Sequence, residues 1–333
     1  MPSPADMFVD ERGLDVLPEV LGRLGSRRVL LLTGPSRRHV DRVLARAGQA
    51  AVALFAGARR HVPVDALAEA RAALEESAAD TVLALGGGSP IGFGKALRRE
   101  RRGDVRFIAV PTTYAGSEMT TLWGTTSDGR KMTGRDPNVR PDVVIYDVTL
   151  TLDMPLGLTV TSLMNALAHP ISALGARTLA EEARPQALDA AAAVYQAAVA
   201  LAHDPHDRAA RARAQPAAGL AAQVLDRGKP GLHHTLAHLL GGRFDLDHGG
   251  LHSVLLPHTL WRLRAEAPDV HAAIAARLAT AEPETRLLDL LARAGAATSL
   301  RALGVPFEGL RALIDADPAL PAALLLEAFE GRA

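Results

Sequence analysis

Apolar residues in the first 150 positions form short continuous runs separated by longer amphipathic stretches. Residues 29–33 are such a run, closed by Gly34-Pro35, and residues 36–47 after it have helical spacing. Residues 51–55 are a second run. Residues 63–79, with Leu67 and Leu74 on one face, predict a helix, and residues 81–85, 107–110 and 143–146 predict further strands. Uninterrupted apolar strands alternating with helices imply a parallel sheet covered on both faces. From about Leu152 the chain becomes rich in Ala, Leu and Arg at helical spacing. It is punctuated by Pro185, Pro205, Pro216 and Pro230 and contains no convincing strand. The pattern therefore predicts an α/β domain over residues 1–151 and an all-helical domain over residues 152–333. The Ala-rich stretches 190–202 and 272–281 read as closely packed helices, and the polar, proline-broken segment 203–207 as a solvated loop despite its two histidines.

At 333 residues and 48% hydrophobic, the chain has enough apolar surface for two moderate cores. Its 37 basic and 37 acidic side chains leave no electrostatic footprint for nucleic acid or an anionic membrane, so the expected partner is a small-molecule substrate. The absence of cysteine excludes disulfides, thiolate metal sites and a cysteine nucleophile. Residues 1–13 carry Asp6, Asp10, Glu11 and Arg12 and no apolar run suited to a signal peptide or membrane span, so a cytoplasmic location is expected.

Three groups of residues carry chemistry. Gly86-Gly87-Gly88-Ser89-Pro90 lies between a strand and the helix carrying Lys95. Glycines there admit a ligand close to the backbone, and a helix start offers free N–H groups to a pyrophosphate. An ordinary strand-to-helix turn rarely needs three consecutive glycines. The segment is not GxGxxG, and Lys95 is outside P-loop spacing. The hydroxyl-rich segment 111–120 follows the next strand and is expected at the same sheet edge, converging with the glycines on one crevice. Alone, it would be read as a plain turn.

Histidines form the third group. Asn165 and His169 are four apart on one helix, His234 and His238 on another, and His248 follows. Such pairs suit a divalent metal or a polar active site. His39, His61, His203, His206 and His271 are read as scattered, solvated side chains, whereas His233, His234, His238, His248, His252 and His258 are dense enough to expect a shared site.

Together, GGGS-x5-K, PTT-x-AGSE, the stretch from Asp128-Gly129-Arg130-Lys131 to Arg135-Asp136-Pro137, Val144-Ile145-Tyr146-Asp147, MNALAH (164–169) and HHTLAHLLGG (233–242) resemble the maleylacetate reductase branch of the iron-containing alcohol dehydrogenase family. The resemblance spans roughly residues 14–260. It implies a dehydroquinate synthase-like fold, an NAD(P)-binding α/β domain followed by a helical substrate domain, and nicotinamide in a cleft between them. Gly34, Gly87, Gly88, Ser89, Thr112, Thr113, Ser117 and Lys131 would bind NADH or NADPH. Metal-dependent members hold the metal with an Asp and three His. The corresponding positions here are Asn165, His169, His234 and His248.

A neutral amide is a poorer ligand for a hard cation than a carboxylate, although three histidines could still hold zinc. The resemblance to maleylacetate reductases, which work without metal, implies a metal-free site, and were metal present, His169, His234 and His248 would hold it. The implied activity is hydride transfer to an electron-poor C=C conjugated to a carbonyl, giving a 3-oxoadipate-like product in aromatic-compound catabolism. His238, His169 and His234 are the candidates for orienting substrate, stabilising an enolate and delivering a proton, with His248 and His252 as second choices. A homodimer is also implied.

Several positions depart from the family pattern. Residues 170–174 lack a Glu usual there, Thr235 replaces a Lys, and residues 317–321 lack an Asn-Pro-Arg-Pro-like segment. Fewer cations point to a less acidic substrate. The chain begins late, so most of an N-terminal strand pair is expected to be missing. Arg37 and Arg38, with no acidic residue after the first strand, admit NADPH. Two other readings stand beside this one: a metal-dependent alcohol dehydrogenase in which three histidines suffice, and a non-catalytic relative.

Overall fold

The computed structural model describes residues 6–9, 13–127 and 130–332. The chain divides into two compact units, Met1–Asp153 and Met154–Ala333. In the first, the elements run β1 (Asp6–Val9), α1 (Leu17–Leu24), β2 (Val29–Leu32), α2 (Val40–Ala47), β3 (Ala51–Phe55), α3 (Val64–Glu76), β4 (Thr81–Gly86), α4 (Gly88–Glu100), β5 (Arg106–Pro111), β6 (Leu122–Ser127), β7 (Arg130–Arg135) and β8 (Val143–Tyr146). All strands except β6 and β7 form one parallel sheet in the order β1-β8-β5-β4-β2-β3. The fully buried run Val82–Leu85 shows why the strands are apolar throughout: successive side chains face opposite directions, and each face is covered by its own core cluster.

The order places β3 on one side of β2 and β4 on the other. Strand order thus reverses between β2 and β4, and their carboxyl ends, followed by Gly34 and by Gly86–Ser89, flank the switch point where open α/β sheets bind ligands.

The parallel sheet and the helical character of the second part agree with the sequence reading, while several details correct it. Helix α2 begins at Val40, four residues later than the pattern predicts, because Arg37 and His39 adopt left-handed backbone (φ 51° and 62°) that a helix cannot pass through. Residues 6–9 do form a strand, pairing in register with β8, although the N-terminal strands were expected to be largely lost. Residues 1–5 and 10–12 lie outside the described residues. The reading also lacks the antiparallel hairpin of β6 and β7, whose positions are mostly exposed on β7 and so give no apolar alternation. Asp128-Gly129, a dipeptide that signals hairpins, lies outside the described residues.

The second unit contains α5 (Leu156–Gly175), α6 (Arg184–His203), α7 (Arg208–Arg227), α8 (Leu232–Phe244), α9 (His248–Glu266), α10 (Pro268–Arg277), α11 (Pro283–Arg293), α12 (Phe307–Ala316) and α13 (Ala322–Glu330), and no strand among its described residues. Helix α5 is buried on every side from Thr159 to Leu174, which makes it the central element around which the others pack. The alanines of α6 allow close approach to α5 and α7. Residues 204–207 form the expected loop, with Asp207 capping α7. Pro216, read as punctuation, instead lies inside α7, as Pro170 and Pro257 do inside α5 and α9. No helix among the described residues is long and apolar enough to cross a membrane.

Gly94 marks the closest packing of helix on sheet in the first unit. A Cβ there would sit 2.4 Å from the Phe107 ring of β5. Gly94→Ala is expected to lower stability by about 1–3 kcal/mol, read as a reduced urea midpoint at unchanged m-value.

Candidate functional site

In the first unit, the loops after β4 and β5 meet. Gly86 and Pro111 are register partners, and Thr112 N–H donates to the Gly86 carbonyl at 3.0 Å. Gly86 has φ 140°, open to glycine alone, and a Cβ on it would strike Pro90 Cγ at 2.8 Å. A Cβ on Gly87 would lie 3.0 Å from Thr113 Cγ2. Around Gly88, the first residue of α4, a Cβ would meet nothing within 4 Å, so this helix start faces open space with its N–H groups uncovered by side chains. Ser89 follows in the same turn. The structure thus joins Gly87, Gly88, Thr112 and Thr113 at one edge, with Gly34 at the end of the neighbouring β2.

What holds the second loop was not identified from sequence. Lys95 is buried, and its ammonium donates to the Thr120 carbonyl, Thr120 Oγ1 and the Leu122 carbonyl, each at 2.9 Å. The lysine is spent on fixing the loop and is not a phosphate ligand. Beside it Glu118 is buried, accepting from Tyr146 Oη at 2.9 Å; desolvation raises its pKa and that of Tyr146. Ser117 Oγ is buried without a hydrogen-bond partner. Lys131 lies on β7, its Cε 3.4 Å from the Cβ position of Gly124, and desolvation lowers its pKa. Arg38 pairs with Asp153 at 2.5 Å, which leaves the exposed Arg37 as the cation of that pair not already committed.

In the second unit, α5, α8 and α9 bring six histidines together. Ring centroids are 5.5 Å apart for His169 and His234, 4.8 Å for His234 and His252, and 4.9 Å for His233 and His252. His248 lies 4.3 Å from His252 and 6.3 Å from His238, which is itself 6.4 Å from His234. Asp247 caps α9, accepting from Gly250 N–H at 2.8 Å, and so fixes His248 at the helix start. Ser253 Oγ donates to the carbonyls of Gly249 and Thr161, tying α9 to α5.

His238 is exposed and His248 half-buried, while His169, His233, His234 and His252 are buried, so the cluster runs from surface to interior. Burial dominates its electrostatics. Desolvation lowers the pKa of His169 to about 4 and, with the neighbouring His169, that of His233 to about 3. His234 and His252 are likewise pushed well below the ordinary value by desolvation and by the surrounding rings. Asn165 Oδ1, His169 Nδ1, both nitrogens of His234 and His252 Nε2 are buried without partners. Neutral imidazoles with unused nitrogens can donate a hydrogen bond to an oxyanion or accept one from a substrate.

This donor set differs from one that includes a carboxylate. Asn165 supplies an amide in place of a carboxylate, and His248 is in ring contact with His252 and His238. Among the described residues no group of three or more His, Asp or Glu is arranged to hold an ion.

Other histidines correct the sequence reading. His258 is buried on α9, outside the ring-to-ring contacts, with neither nitrogen hydrogen-bonded and its pKa lowered by desolvation to about 4. His271, read as solvated, is buried and bonded through Nε2 to Glu284 at 2.6 Å. His39 and His61 are half-buried, and only His203 and His206 are exposed as expected among that group.

The iron-containing alcohol dehydrogenase family model matches residues 4–148, and the C-terminal model of the Fe-containing alcohol dehydrogenase family matches residues 159–330. The chain is 40% identical to a maleylacetate reductase of Rhizobium sp. (strain MTP-10005), over 94% of this chain and 92% of that one. It is 39% identical to a maleylacetate reductase of Pseudomonas knackmussii, covering 95% and 93% of the two chains. The crystal structure of maleylacetate reductase from Agrobacterium tumefaciens superposes with a TM-score of 0.89 at 38% identity, covering 100% of this chain and 98% of that chain.

Because the buried histidines bind fewer protons folded than unfolded, their contribution to stability is complete above the ordinary value of 6.5 and is lost as pH falls toward about 4. Urea midpoints are expected to drop across that window. His258→Leu should make the drop shallower, and an equally steep drop in the variant would contradict the assignment for His258.

Proposed function

This chain belongs to the iron-containing alcohol dehydrogenase family, and from that premise we propose that it is a metal-independent NAD(P)H-dependent reductase of the maleylacetate type. The observation that carries the proposal is the histidine cluster: buried, neutral, with unpartnered nitrogens and an amide where metal-dependent members place a carboxylate. Its substrate is an enone or oxo-acid.

Gly34, Gly87, Gly88, Ser89, Thr112, Thr113, Ser117 and Lys131 would hold the cofactor. The open space at Gly88 and the unpartnered Ser117 hydroxyl suit a pyrophosphate and its neighbouring groups. When bound, the dihydronicotinamide supplies the hydride. In the substrate, the hydride is accepted by the carbon β to the carbonyl, and the C=C electrons shift to form an enolate. Imidazole N–H groups of His169 and His234 stabilise the enolate oxygen. The α-carbon then takes a proton, which we assign to His238, because its exposed ring can be reprotonated from water while the deeper rings cannot.

Thr235 is exposed and its hydroxyl donates to the Gly231 carbonyl, so it offers no cation to a second carboxylate. A substrate less acidic than maleylacetate is therefore part of the proposal, as are a homodimer and a cytoplasmic location.

Titration with NADPH and NADH, followed by absorbance decay at the nicotinamide band on adding maleylacetate or less acidic enones, tests this reading. Turnover of an enone supports it, and failure to bind either cofactor overturns it. Gly87→Ala, which presses on Thr113, is expected to weaken cofactor binding by about 1.4 kcal/mol, tenfold in Kd.

A further inference from the structure

Behind the cluster runs a chain of hydrogen bonds with two possible directions, and its direction decides what His252 can do. Thr259 Oγ1 lies 3.0 Å from the Leu256 carbonyl and 3.0 Å from His233 Nδ1, and His233 Nε2 lies 2.8 Å from His252 Nδ1. A carbonyl only accepts, so the contact with Leu256 requires the single hydroxyl proton of Thr259, a common back-bond of helical threonine. Thr259 must then accept from His233, whose proton is on Nδ1. The ring being neutral, His233 Nε2 is a bare lone pair, and His252 Nδ1 must donate to it.

The far end of the chain agrees. His252 Nε2 is fully buried with no partner. In the derived direction it is an unused acceptor. In the reverse direction it would be a buried N–H with nothing to donate to, the rarer and costlier state in folded proteins.

We infer that Thr259 and His233 are positioning residues that hold His252 in its Nδ1–H tautomer, so that it presents a bare nitrogen to the neighbouring rings of His234 and His248. The inference rests on the reductase reading for its catalytic meaning. His252 then cannot deliver the proton to the enolate, since its proton is committed on the opposite side to His233. Its bare nitrogen is instead open to a donor brought beside it, an imidazole N–H or a hydroxyl, and disfavours a carboxylate there. Proton delivery is left to the rings nearer the surface.

Long-range proton–nitrogen correlation spectra of the 15N-histidine protein, without substrate, read the tautomers directly. Nδ1–H is expected at both His233 and His252. Thr259→Val should move His252 wholly or partly to the Nε2–H form and lower kcat about tenfold with the cofactor KM unchanged, and Thr259→Ser should restore both. An Nε2–H tautomer at His252 in the unaltered protein, or unchanged tautomers in Thr259→Val, would overturn the inference. The spectra need no turnover. Absence of activity with every enone would therefore count against the reductase reading while the tautomers still decide this one.

Discussion

Imidazoles packed ring against ring in a protein interior can coexist only while uncharged, and this constraint governs the second unit. Desolvation holds His169 and His233 at about 4 and about 3, far from the pH at which a solvated imidazole charges. The helices that enforce it are chosen accordingly. Helix α5 is buried on all sides from Thr159 to Leu174, α8 delivers the adjacent His233 and His234 and, one turn on, His238, and α9 starts at His248 under the Asp247 cap. A cluster kept neutral offers N–H donors and bare nitrogens side by side, the equipment for stabilising an enolate without a fixed charge. An anionic carboxylate at Asn165 would change that balance by drawing protons or a cation into the cluster.

The first unit obeys a different constraint. A parallel sheet sends every strand end to the same edge, so residues distant in sequence, Gly34, Gly87 and Thr113, are brought to one side by topology alone. Packing then refines the edge. Lys95 donates to the Thr120 carbonyl and hydroxyl and to the Leu122 carbonyl after β5, and Glu118 of the same loop pairs with Tyr146. These buried polar groups give the loop one conformation, and leave Ser117 with an unused hydroxyl.

Much of this was legible in the chain. Continuous apolar runs mark β2, β4, β5 and β8 because a sheet buried on both faces needs no alternation; the edge strand β3 is apolar too, although its Val52 and Leu54 are exposed. The triple glycine and the i, i+4 histidines announce themselves by spacing. Less legible was whatever depends on contacts distant in sequence. The start of α2 is set by left-handed residues that periodicity does not see. The β6 and β7 hairpin gave no apolar alternation, since most of β7 is exposed. Pro216 fits inside α7, where a local rule would end the helix. His271 looks like any surface histidine until Glu284 is placed against it, and nothing near Lys95 in the sequence shows that the Thr120 and Leu122 carbonyls surround its ammonium. Thr259, next to His258 on α9, gave no signal of its own.

The central claim is that neutral side chains, with no metal ion, do the polar work of the reaction. It is tested most directly by measuring kcat with NADPH and an accepted enone before and after exhaustive dialysis against a chelator, with bound iron and zinc quantified in the same samples. The account predicts an unchanged kcat at metal contents far below one ion per chain. Loss of activity on dialysis, restored by ferrous or zinc ions in proportion to the metal taken up, would contradict it.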